Sequence, residues 1–138
     1  MNYERFQDSE FFSFFVLHEI KRSPNELTRI ILEPGGFREY IYIELKIDDD
    51  NNIKFGTLEL DRSWVGNELN IDPFAKDICK SFINELTIGE TNDLIEDLIK
   101  GLWDLKGKND KVIYNNPPMY LENHKSEIKE VVKVYMGI

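Results

Sequence analysis

Asp48-Asp49-Asp50-Asn51-Asn52, followed by Glu59, is a dense run of oxygen donors. Counted from Asp48, the residues Asp50, Asn52 and Glu59 fall at the third, fifth and twelfth positions. That spacing lets a calcium-binding loop wrap alternate side chains around one hard cation. The sixth position is Ile53, however, where the sharp turn of such a loop needs glycine. The flanking residues alternate like strands, which would carry Glu59 roughly 20 Å from the turn. The run therefore reads as a solvated hairpin turn. No metal is expected, and Asp48, Asp50 and Asn52 are the weak candidates for holding one.

A second carboxylate set is Glu39, Glu59 and Asp61. In an unbroken hairpin, Glu39 would face Asp61, and like charges directly opposed on a sheet destabilise it. Neutralisation by Arg29 or Arg62, or a shared cation, would relieve this. A raised carboxylate pKa there could serve acid-base chemistry. Other catalytic material is sparse. His18 and His124 have no metal-ligand spacing with each other or with Cys79. No serine lies in a nucleophile elbow, and no glycine-rich loop is set to cradle phosphate. Cys79 sits among Ile78, Phe82 and Ile83, the setting of a small buried hydrophobe and not of an activated thiol. Pro117-Pro118-Met119-Tyr120 spells a short WW-domain ligand, though four residues read more simply as a stiff loop with Tyr120 packed back on the core.

The elements that would position these groups read as follows. Residues 9–22 carry Phe11, Phe14 and Phe15, then Val16 and Ile20, at helical spacing, with strand alternation of Phe12, Phe14 and Val16 as the competing pattern. Residues 27–33, 37–47 and 53–61 read as three strands of an antiparallel meander, joined by a Pro34-Gly35-Gly36 turn and the 48–52 turn. Asp72-Pro73 opens a helix that repeats Phe74, Ile78, Phe82 and Leu86 and stops at Gly89. A helix is expected over 92–106, a short strand at 112–114, and a last helix over 123–136 with Ile128, Val131, Val132 and Tyr135 inward. The expected fold class is α+β, in a single domain over residues 1–138. It is an antiparallel meander of three or four strands, preceded by one helix and followed by two or three.

Pairing Ile47 with Ile53 in an unbroken ladder sets Leu45 against Phe55 and Ile43 against Thr57. On the other face, Tyr42 meets Leu58 and Tyr40 meets Leu60. Both faces then come out apolar, so either helices cover both or one meets a partner. Four amphipathic helices suffice for the first, which is the favoured reading.

Composition narrows the function classes. The 138-residue chain is long enough for a core without disulfide or metal staples. Aromatics make up 12%, too many for a disordered tail. A net charge of −9 repels phosphate backbones and anionic lipid, and the longest basic run is Lys21-Arg22, which argues against nucleic acid. The apolar run at residues 11–17 is too short to span a membrane and lacks the basic start of a signal peptide. One cysteine suits a reducing compartment, so a cytoplasmic setting is expected. The sequence thus reads as a small acidic interaction protein without enzymatic activity or cofactor. It would act as an inhibitor, an immunity- or antitoxin-like partner or an adaptor, binding a basic protein or a second copy of itself. The expected interface is Tyr40, Tyr42, Leu58, Leu60, Arg62 and Trp64. A carboxylate- or metal-dependent enzyme and a structural homo-oligomer are the alternatives.

Overall fold

A computed structural model describes residues 2–35, 40–61, 66–67, 70–71, 73–86, 96–97, 100–101, 104–105, 107–115 and 118–137. Its main feature is one antiparallel sheet of seven strands. The chain opens with the short helix α1 (Tyr3–Gln7), whose first amides are capped by the Asn2 side chain. A 3-10 turn at Phe12–Phe14 leads into β1 (Phe15–Lys21). Then come β2 (Thr28–Pro34), β3 (Ile41–Ile47) and β4 (Ile53–Asp61). A two-residue ribbon follows, β5 (Gly66–Asn67) with β6 (Asn70–Ile71), and then the helix α2 (Pro73–Leu86). The chain closes with β7 (Asp110–Asn115), β8 (Pro118–Lys125) and β9 (Glu130–Gly137). The strand order is β1-β2-β3-β4-β9-β8-β7, so the C-terminal strand returns to the middle of the sheet beside β4.

This overturns the expected α+β architecture of three or four strands with several helices. The β2–β3–β4 meander and α2 are present, and residues 96, 97, 100, 101 and 104 within the expected 92–106 helix are helical. The other two expected helices are not. Residues 15–21 form β1, where an extra residue at His18 breaks the two-residue period. Its inward residues Phe15, Leu17 and Ile20 therefore end with a three-residue step, which imitates helical spacing. Residues 123–136 hold the end of β8, a tight turn and most of β9. There Val132, Val134 and Met136 point inward at period two, while Ile128 sits on the turn, 95% exposed. A β-branched run is at home on a pleated sheet, and that preference outweighs the weaker helical spacing.

One face of the sheet is the core. Ile30 and Leu32 of β2, Ile43 and Leu45 of β3, Leu58 and Leu60 of β4, Leu121 of β8, and Val132 and Val134 of β9 are buried there. α2 lies on this inner face through Ile78, Cys79, Phe82, Ile83 and Leu86. Gly56 makes room for it, since a Cβ at that position would overlap Leu86 Cδ1 and press on Phe82 Cζ at 3.2 Å. The N-terminal aromatics join the same layer, with Phe11 4.8 Å from Phe15 and 6.1 Å from Phe82 between ring centres. Helical Gly101 sits over Leu121 and Tyr114 at the far end. The opposite, outer face carries none of these helices. It shows Arg29, Glu44, Lys46, Glu59, Glu122 and Lys133, with Ile31 and Thr57 facing the same side but buried between neighbours.

Candidate functional site

The expected interface is divided between the two faces. Ile47 does pair with Ile53, but Lys54 is an extra residue in β4, and the next pair is Lys46 with Phe55. From there Leu58 meets Ile43 and Leu60 meets Ile41, both on the inner face and at most 1% exposed. Tyr42 meets Glu59 on the outer face. A one-residue slip moves every later side chain to the other face. The bulge thus removes the second apolar face that the unbroken ladder implied. Leu58 and Leu60 are core, whereas Tyr40 and Tyr42 remain half-exposed on the outer side. Arg62, Trp64 and Glu39 lie outside the described residues.

Tyr42 stands between two hollows. One, of about 320 Å³, runs over β1, β2 and the start of β3, with His18, Glu19, Lys21 and Glu33 in its wall. The other, of about 120 Å³, is lined by Tyr40, Glu59, Asp61, Lys129 and Val131 across β3, β4 and β9. Tyr42 and Ile41 border both. A broader concavity of about 730 Å³ opens at the end of the sheet between residues 22–28 and Asp48-Asp49, and no aromatic residue lines it.

The ridge is held from below and beside. Arg29 of β2 forms an ion pair with Glu44 of β3, whose side chain is only 12% exposed. Burial pushes the Tyr42 hydroxyl above its ordinary pKa, and the Glu44 charge adds to this while Arg29 opposes it. His18 Nδ1 lies 3.2 Å from Glu33 Oε2, and Lys21 Nζ lies 3.8 Å from Glu19 Oε2. Nothing in the local sequence marks the Arg29–Glu44 or His18–Glu33 pairs. Both are cross-strand contacts, so only the register reveals them.

The rest of the outer face is a closed ladder. Phe55, Tyr135 and Tyr120 stand side by side on β4, β9 and β8, with ring centres 5.8 and 4.7 Å apart and nearly parallel planes. Lys111 of β7 caps the Tyr120 ring at 3.9 Å. Tyr135 lies between the other two rings and Tyr120 between Tyr135 and the ammonium group, so the faces of these two tyrosines are engaged within the sheet. Tyr120, the tyrosine of the WW-like motif, is held in this ladder, and Pro117 lies outside the described residues.

The oxygen-rich turn is accounted for by its own backbone. Asp48 Oδ1 accepts from the Asp50 amide at 3.0 Å and the Asn52 amide at 2.9 Å, and Lys54 Nζ lies 3.6 Å from Oδ2. These bonds, first that from Asn52, hold the Asp48 carboxyl below its ordinary pKa. Asn51 adopts the left-handed conformation at φ 62°, which asparagine tolerates in tight turns. Among the described residues, no group of three or more His, Cys, Asp or Glu side chains is placed to hold a metal ion. Cys79 is buried on α2, and His124 is exposed on β8. Among the same residues, no helix is long and apolar enough to cross a membrane.

Comparisons of the chain with protein-family models, with curated proteins and with solved structures find no match in any of the three.

Proposed function

We propose that this chain is a protein-binding domain without enzymatic activity, and that a basic protein partner docks on the outer sheet face around Tyr42. The observation that carries this reading is the aromatic ridge between two acid-walled hollows. The two hollows present Glu19, Glu33, Glu59 and Asp61 against Lys21 and Lys129. Each hollow is large enough to admit part of a basic side chain, and tyrosine is a favoured anchor at interface centres. The chain's net charge of −9 would steer such a partner over longer range.

The test is affinity capture on the immobilised chain, followed by binding of the purified captured protein at two salt concentrations. The expected outcome is one-to-one binding of a basic protein, weakened by salt and by at least tenfold in Tyr42→Ala, as for a central aromatic anchor. Glu59→Lys should weaken it as well, by placing like charge against the partner. Equal binding by the wild type and both variants would sink the proposal.

A further inference from the structure

Seven large apolar side chains among the described residues are exposed, and four of them occupy one short stretch: Phe14, Val16, Leu17 and Ile20, between 40% and 57% exposed. That stretch leads into and runs along β1, which among the described residues ends the sheet and pairs with β2 alone. The free side of an edge strand offers a row of backbone donors and acceptors, a template for one more strand. Proteins usually guard such an edge with charge or cover it. On β1 the exposed apolar groups lie on both faces of the edge. Val16 is on the outer face, opposite Glu33, and Leu17 and Ile20 are on the inner face, opposite Leu32 and Ile30.

We propose that β1 pairs antiparallel with the β1 of a second copy of the chain, which joins two seven-stranded sheets across a two-fold axis. The argument for a second copy is that β1 is complementary to itself in one register. Setting Leu17 against the second copy's Ile20 brings inner-face apolar groups together twice, once on each side of the axis. Val16 then meets the aliphatic stem of the second copy's Lys21 on the outer face. At the axis, His18 and Glu19 of one chain meet the second copy's Glu19 and His18, opposite in charge when the imidazole is protonated and hydrogen-bonding when it is not. No like charges are opposed. His18 is also the extra residue of the β1 bulge, so both strands kink at the same place and their twists stay matched.

The opposite edge fits a second copy less well. β7 also exposes Val112 and Ile113, two apolar groups against the four that lead into and run along β1, and its Lys111 is drawn across the sheet onto Tyr120, 3.8 Å from Glu122. An isologous contact at β1 closes after two subunits and leaves the hollow of Tyr40, Glu59 and Asp61 away from the seam on both. The contact borders the proposed partner site, because His18, Glu19 and Lys21 also wall the larger hollow, but Tyr42 and Glu59 lie outside the contact, so Tyr42→Ala and Glu59→Lys test the partner site separately.

The test is molar mass in solution by sedimentation, across a concentration series, for the full chain and three variants. The wild type is expected to dimerise. Val16→Lys and Ile20→Lys each place the new charge at the interface twice, and should raise the dimer dissociation constant about a hundredfold, tenfold per copy. Both positions are exposed in the single chain, so the fold should be unchanged by circular dichroism. Ile113→Lys, on β7, should leave the dimer intact. Hydrogen exchange supplies a measurement without substitution: the amides of residues 16–20 should gain protection as protein concentration rises. A chain that stays monomeric throughout the series, a dimer indifferent to both β1 variants, or a dimer broken by Ile113→Lys would each overturn the proposal.

Discussion

Single residues in this protein act mostly by closing local hydrogen-bond accounts. Asn123 is the clearest case, a polar side chain 1% exposed within an otherwise apolar inner face. Its Nδ2 donates to the Lys108 carbonyl at 2.8 Å and lies 3.3 Å from Glu130 Oε2, which also accepts from the Gly107 amide at 3.0 Å. One amide thus ties the segment before β7 to the hairpin of β8 and β9. Asn123→Leu keeps the volume and removes the donor, leaving the Lys108 carbonyl without that bond. The expected cost is about 1–3 kcal/mol. Chemical denaturation is the check, and an unchanged midpoint would mean that the bond contributes nothing net.

At the scale of elements, the bulge at Lys54 decides more than any side chain. Before it, Ile53 faces the core opposite Ile47. After it, Gly56, Leu58 and Leu60 face the core and Phe55, Thr57 and Glu59 face outward. Deleting Lys54 would restore the unbroken ladder and offer Leu58 and Leu60 to the outer face if the turn kept its register. Alternatively, the turn would have to break to keep them inside. Either route discards two fully buried leucines or the turn that Asp48 organises. Loss of a buried leucine alone costs about 2–5 kcal/mol, so the deletion variant should fail to fold cooperatively. A deletion variant that melted like the wild type would show that another register is as good. Lys54→Ala keeps the residue count and should cost far less.

The described residues form mostly one wide sheet, with helices packed on its inner face and a mixture of charged and aromatic side chains on its outer face. Tyrosines are distributed over both layers, and burial raises the pKa of Tyr3, Tyr42, Tyr114 and Tyr135 in the folded chain. Each therefore holds its proton more tightly when folded. The stability they contribute is complete below the unfolded value of 10.0 and is lost as pH rises from there through their raised folded values. The fold should show an alkaline loss of stability starting near that value, with phenolate absorbance lagging behind free tyrosine until unfolding releases it. Tyr42→Phe should remove one lagging group from the titration. Phenolate appearing in step with free tyrosine, while the fold is intact, would contradict this.

Local chemistry determined several parts of this protein before any tertiary contact is considered. An apolar run, Ile30-Ile31-Leu32, marks β2, alternation marks β3, four-residue spacing marks α2, and the Asp and Asn run marks the turn at 48–52 and the return into β4, because each signal lies within one element. The division of Tyr40 and Tyr42 from Leu58 and Leu60 between opposite faces was not recoverable in this way, and the unbroken ladder put them together. It depends on an extra residue in one strand, and the hairpin alone does not say where that residue goes. Burial of Leu58 and Leu60 against α2, β3 and β9 together selects the bulged register. The same holds for β1 and β9, whose spacing suits a helix when read alone and a strand when a neighbouring edge is available. Tertiary structure decided these because hydrogen bonds to another strand and a shared core reward a conformation that local periodicity leaves ambiguous.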